Sequence, residues 1–256
     1  MMRILEFDAL TPQEFLNRDI QAEEDVSAAV DEILAEVRRN GDAALREYTK
    51  RFNGVELDNL RVTQEEFDAA RKTVDSCFLE TLKEAAENIW RFHERQKHND
   101  FILTDRPGMV MGQRWTAIEK VGVCVPRCPE AFPSTILMNA IPAKIAGVET
   151  IVLVTPPGPD GSVSSEALMA AELAGVTDVF KLGGAQAVAA LAYGTETVPR
   201  TDKIVGPGGV FVATAKRKVS GQVDIDMIAG PSEILVLADG KTNPVWAAAD
   251  LLSQAE

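Results

Sequence analysis

Apolar residues in the first hundred positions recur at helical spacing. Val26, Ala29, Val30, Ile33, Leu34 and Val37 fall three or four residues apart and share one stripe of a helix, which Asn40-Gly41 should stop. A second helix is predicted from Asp42 to Phe52, ended by Asn53-Gly54. A longer one is predicted from Cys77 to Lys97, burying Phe78, Leu82, Ala85, Ala86, Ile89 and Trp90. Thr11-Pro12-Gln13-Glu14 joins a capping residue to proline at the first helical position, and Thr63-Gln64-Glu65-Glu66 has the spacing of a capping box.

From Met109 the pattern shortens to extended runs, Met109 to Met111 and Trp115 to Ile118, leading into Val121-Gly122-Val123-Cys124-Val125. A regular alternation follows. Helices are expected at Ser134–Gly147, Ser165–Gly175, Gln186–Tyr193, Phe211–Val219 and Pro244–Glu256. Strands are expected at Thr150–Thr155, Asp178–Leu182, Lys203–Val205, Ile225–Ile228 and Ile234–Ala238. Short β-branched strands separated by helices with glycine at their exits imply βαβ units, a parallel sheet and an α/β fold. Pro156-Pro157-Gly158-Pro159 lies just past a strand's carboxyl end, where open parallel sheets place their ligand crevices.

Composition narrows the function classes. The 256 residues are 46% hydrophobic and 25% charged, as in ordinary globular chains, and no run of 18 apolar residues suggests a membrane span. The amino terminus shows no leader pattern, so a cytoplasmic protein is expected. A net charge of −13, most of its excess acid in the first hundred residues, would repel a phosphate backbone and argues against nucleic acid. Cys77, Cys124 and Cys128 are too few and too odd in number for a disulfide framework, and Cys124 and Cys128 lack the second ligand pair that a zinc site needs. The two histidines, His93 and His98, sit on a polar stretch and read as surface residues.

Chemistry is best sought at three turns that leave a strand and enter a helix: Pro126 to Ser134, Gly183-Gly184-Ala185-Gln186 and Gly206-Pro207-Gly208-Gly209. Small residues there admit a ligand to the backbone, and a helix start offers unpaired N–H groups and a positive dipole end, which suits a pyrophosphate. None has the G-x-G-x-x-G pattern, and any one taken alone reads more readily as a structural connector than as a ligand site. A fourth stretch, Asp224 to Glu233, brings Asp224, Asp226 and Ser232 around a Gly-Pro turn, where Asp and Ser usually hold the turn itself. Gln254 follows Asp250 by one turn of the last helix; its carbonyl oxygen is a weak metal ligand.

Five ordered blocks resemble the histidinol dehydrogenase family: Phe132-Pro133-Ser134 through Gly147, Gly183-Gly184-Ala185-Gln186-Ala187 with Ala192 to Glu196, Asp202 to Gly208, Asp226 to Glu233, and Asp250 to Glu256. The resemblance implies two successive NAD-dependent oxidations, L-histidinol to the aldehyde and on to L-histidine, with one zinc ion per site in a homodimer. By position, Gln186 would contact NAD, Ser232 the substrate, and Gln254 both zinc and substrate. Cys124 and Gly209 fall in the NAD region, where the family usually has tyrosine and asparagine; Arg127 and Cys128 replace glycines of the same region.

The family pattern continues past Gln-Ala-Glu into a zinc-ligating histidine and, farther on, a Glu-His acid/base pair. Residues 1–256 carry neither, so no zinc-dependent turnover is expected of them alone. The resemblance implies an amino-terminal arm at 1–22, a first α/β domain at 23–122 and 235–256 that is incomplete and exposes a sheet edge, and a second Rossmann-like domain at 123–234. Two rival readings remain: a dehydrogenase of another small alcohol, and a non-catalytic binding protein that keeps a nucleotide-type fold.

Overall fold

A computed structural model of the chain describes residues 21–126, 132–228 and 234–252. The opening capping motif at Thr11 therefore lies outside the described residues. The first helix, α1, runs Gln21–Asn53 and is broken at Gly41, whose φ of 50° and ψ of −129° interrupt the helical backbone where Asn40-Gly41 predicts a stop. Val30, Ile33, Leu34 and Val37 are buried as the stripe requires, while Ala29 faces solvent. Next come α2 (Gln64–Thr73) and α3 (Ser76–His93), the latter followed by a short 3₁₀ turn, Glu94–Gln96. The capping box at α2 is formed: Glu66 N–H donates to Thr63 Oγ1, and Thr63 N–H donates to Glu66 Oε2 at 2.9 Å. In α3, Leu82 and Ala86 are buried but Trp90 is 43% exposed, so the predicted inner face is narrower than its pattern.

Two three-residue strands, β1 (Phe101–Leu103) and β2 (Met111–Gln113), pair antiparallel, with every residue exposed. The main sheet then alternates with helices: β3 (Lys120–Cys124), α4 (Pro133–Ala146), β4 (Thr150–Thr155), α5 (Ser165–Ala174), β5 (Asp178–Lys181), α6 (Gly184–Tyr193), β6 (Lys203–Val205), α7 (Val210–Val219) and β7 (Asp224–Ile225). Its strands are all parallel in the order β5-β4-β3-β6-β7, confirming the α/β class. Among the described residues this is the one parallel sheet; the other is the β1–β2 ribbon. The last helix, α8, covers Pro244–Leu252.

Side chains alternate between the sheet's two faces, as a strand period of two dictates. Cys124, Val152, Val154, Phe180 and Ile204 pack with α1, α6 and α7. Val121, Val123, Ile151, Leu153 and Val179 pack with α4 and α5, over which α3 and α2 lie. In α6 the sequence Ala185 to Ala192 is buried on all sides, because alanines let the helix sit tight between sheet, α1 and α7.

Two expected strands do not form. Trp115–Ile118 forms no strand, and Ile234–Ala238 has no described strand beside it, leaving Leu235 90% and Leu237 97% exposed. β7 ends at Ile225 rather than Ile228.

Candidate functional site

The order of the sheet fixes where a ligand fits. The chain leaves β3 for β4 on one side and later returns to β6 on the other, so the connections diverge at the carboxyl ends of β3 and β6. That divergence is the topological switch point of an open parallel sheet. A crevice of about 330 Å³ opens there, walled by Cys124, Pro156, Gly184, Pro207, Gly209 and Val210. The second and third glycine turns of the sequence thus meet across one cavity, and Pro126 of the first borders it.

Helix starts separate into two kinds. Those of α2, α3 and α5 are capped by Thr63, Asp75 and Ser164 side chains. Those of α4, α6 and α7 have no side-chain cap, and the last two open at the crevice behind Gly183 and Gly209. With no side chain on their first N–H groups, α6 and α7 suit an anion, and the dipoles of these two ten-residue helices favour negative charge at that end.

Gln186 stands on the first turn of α6, 1% exposed, and its Oε1 is buried without a hydrogen-bond partner. Gly184, at φ +70°, lies beneath it: a Cβ there would come 2.7 Å from that oxygen. An unpaired buried acceptor costs about 1–3 kcal/mol, so an amide held this way behind Gly184, which lines the crevice, fits a donor brought past that glycine by a ligand.

The turn after β6 is held from behind. Gly206, at φ +104°, faces the Cys124 carbonyl so closely that a Cβ would overlap it. Its N–H donates to Asp226 Oδ2 at 2.8 Å, and its carbonyl accepts from Lys216 Nζ at 2.8 Å. Lys216 and Asp226 also pair with each other. Burial pushes the Cys124 thiol up to about 12, Lys216 countering and Asp226 adding to the shift, so this thiol stays protonated and is no nucleophile.

Of the residues singled out from sequence, Cys124 and Gly209 line the crevice at the switch point, and Gln186 lies behind its wall, its Oε1 against Gly184. Ser232 and Gln254, with Arg127 and Cys128, lie outside the described residues. Sequence reasoning missed Lys216 altogether and took Asp226 for a turn residue. A signal existed: Lys216 falls in phase with Val212, Ala213 and Val219, which form the inner face of α7. His93 and His98 line a separate, mostly apolar cavity of about 540 Å³ beside α4, where His98 stacks on Trp115 at 4.2 Å and His93 Nδ1 lies 2.6 Å from Gln96 Oε1.

The model of the histidinol dehydrogenase family matches residues 16–256. The chain belongs to the histidinol dehydrogenase family. It is 53% identical to the histidinol dehydrogenase of Halalkalibacterium halodurans over 242 residues, covering 94% of this chain and 57% of that one. The Bacillus subtilis enzyme of the same name is 52% identical, with the same coverage. A crystal structure of histidinol dehydrogenase from Elizabethkingia anophelis superposes with a TM-score of 0.85 at 37% identity, covering 93% of this chain and 58% of that chain. The chain therefore spans little more than half the length of the relatives it matches.

At the two positions where the resemblance leads one to expect tyrosine and asparagine, Cys124 carries a small, 5% exposed thiol and Gly209 leaves open space, with nothing within 4 Å of a Cβ. The residues present fit a dinucleotide: unpaired helix starts for its phosphates and a free amide oxygen for a donor. The described residues hold no group of three or more His, Cys, Asp or Glu side chains able to share a metal ion. No helix among the described residues is long and apolar enough to cross a membrane.

Proposed function

We propose that this chain forms the dinucleotide-binding part of an NAD-dependent alcohol dehydrogenase of the histidinol dehydrogenase type, oxidising L-histidinol through the aldehyde to L-histidine. The observation that carries the reading is the orphan Gln186 Oε1, buried at a glycine turn on the switch point of a parallel sheet. NAD, when bound, supplies the hydride acceptor. The chain's own residues do the rest: the N–H groups opening α6 and α7 hold the anionic bridge, Gln186 accepts a hydrogen bond from the cofactor, and the apolar wall of Cys124, Val154 and Val210 keeps water out.

Ser232 as a substrate contact and Gln254 as a zinc and substrate contact follow from position in the family pattern. No catalytic step is assigned to zinc, because one neutral amide does not hold it. A cytoplasmic homodimer, with the domain division at 22/23, 122/123 and 234/235, belongs to the same proposal.

Two measurements test it. Isothermal titration of this chain with NAD should give saturable binding at one site. The polypeptide of the complete reading frame, supplied with zinc, NAD and L-histidinol, should form two NADH per alcohol. NADH formation from another small alcohol but none from L-histidinol would overturn the substrate, and failure of the chain to bind NAD would overturn the cofactor.

A further inference from the structure

The buried Lys216–Asp226 pair serves no step assigned so far, yet it grips both polar groups of one residue. Lys216 reaches from α7 with 2% of its side chain exposed; Asp226 follows β7 with 24% exposed. Between them they take the N–H and the C=O of Gly206, each at 2.8 Å. That residue sits in the left-handed region at φ +104° and opens the turn to Pro207, Gly208 and Gly209, which walls the crevice. Asp226 Oδ1 further accepts the N–H of Met227 at 2.6 Å, at the start of the stretch that leads to Ser232.

Such a pair is a poor device for stability alone, because removing two charges from water costs several kcal/mol per ion, and replacing a buried pair with apolar residues is often neutral or better. What it does supply is direction: the pair fixes the peptide planes on either side of Gly206, and so the aim of the turn's backbone.

We infer that Lys216 and Asp226 are positioning residues that set the 206–209 turn for the cofactor and tie it to the stretch following β7. This rests on the reading of the crevice as an NAD site. Neither side chain needs to touch NAD; both act through Gly206.

The test compares three forms of this chain: wild type, Lys216→Met/Asp226→Leu, which removes both charges and leaves none uncompensated, and Lys216→Met/Asp226→Asn, which keeps an acceptor for Gly206 N–H. Each is melted by circular dichroism, followed by amide hydrogen exchange and titrated with NAD. The Met/Leu form is expected to fold, to exchange Gly206 to Gly209 faster while β4 keeps its protection, and to bind NAD roughly tenfold more weakly, the factor that 1.4 kcal/mol represents. The Met/Asn form should recover most of that affinity, a rescue that a purely structural role would not give.

Wild-type and Met/Leu forms binding NAD equally, with unchanged exchange at the turn, would overturn the inference and leave the crevice reading standing. No NAD binding by wild type would overturn the crevice reading and with it the purpose given to the pair. If the Met/Leu form does not fold, Met/Asn decides alone: near-wild-type affinity with 206–209 protected as in wild type would support the inference, whereas wild-type affinity with loosened exchange there, or weakened affinity with unchanged exchange there, would overturn it.

Discussion

Replacing Gln186 by methionine should move stability and cofactor affinity in opposite directions. Gln186 is 1% exposed and its Oε1 has no partner, so the folded chain bears the cost of an unmade hydrogen bond, about 1–3 kcal/mol. Methionine has similar length, adapts to irregular space and has comparable helix propensity, so Gln186→Met removes the buried oxygen without opening a cavity or weakening α6. The ligand-free variant should gain ~1–2 kcal/mol, or roughly 2–8 °C in Tm at about 2–4 °C per kcal/mol. NAD binding should weaken by about tenfold, the loss of one hydrogen bond of about 1–1.5 kcal/mol. Thermal melts without ligand and isothermal titration with NAD read the two effects separately. A variant that is less stable than wild type would mean that Oε1 is satisfied in the free protein. A more stable variant with unchanged NAD affinity would mean that the amide is not a cofactor contact, and either result refutes the reasoning.

Three other substitutions or reactions follow from the same geometry. Gly206→Ala adds a Cβ at φ +104° against the Cys124 carbonyl, so it should cost at least ~2 kcal/mol by backbone strain and overlap, seen as a fall of roughly 4–8 °C in Tm; an unchanged melt would show that the turn relaxes freely. Gly209→Asn enters open space at the start of α7, where an asparagine cap adds a few tenths of a kcal/mol and, by taking N–H groups otherwise open to an anion, should weaken NAD ~2–10-fold by titration. Iodoacetamide at pH 8 should label exposed Cys77 in the native chain and leave Cys124 unmodified until unfolding, because burial holds that thiol protonated with its pKa at about 12; peptide mapping that finds native Cys124 alkylated would contradict its burial.

The parts of the fold legible in sequence are those whose pattern is local. Thr150–Thr155 and Lys203–Val205 carry their strand pattern within themselves, and Gly41, Gly147 and Gly175 end helical stretches where only glycine takes a positive φ readily. Ile234–Ala238 has the apolar run of a strand, but pairing needs a neighbour, and a run of residues says nothing about whether one stands beside it. Trp115–Ile118 fails for the same reason. At the site, glycine spacing pointed to the turns, whereas the meeting of two of them across one crevice depends on strand order. Lys216 illustrates the other limit: a charged residue in the buried phase of a helix reads as a flaw in the pattern until its partner, Asp226, is brought ten residues round to meet it.

The account stands on a dinucleotide occupying the switch point between β3 and β6. Amide chemical-shift mapping of the isotope-labelled chain during titration with NAD tests this most directly. Saturable shifts confined to the neighbourhood of Cys124, Gly183 to Gln186 and Gly206 to Phe211 are expected; no shift at saturating NAD, or shifts centred instead on the cavity around Trp115 and Met138, would contradict it.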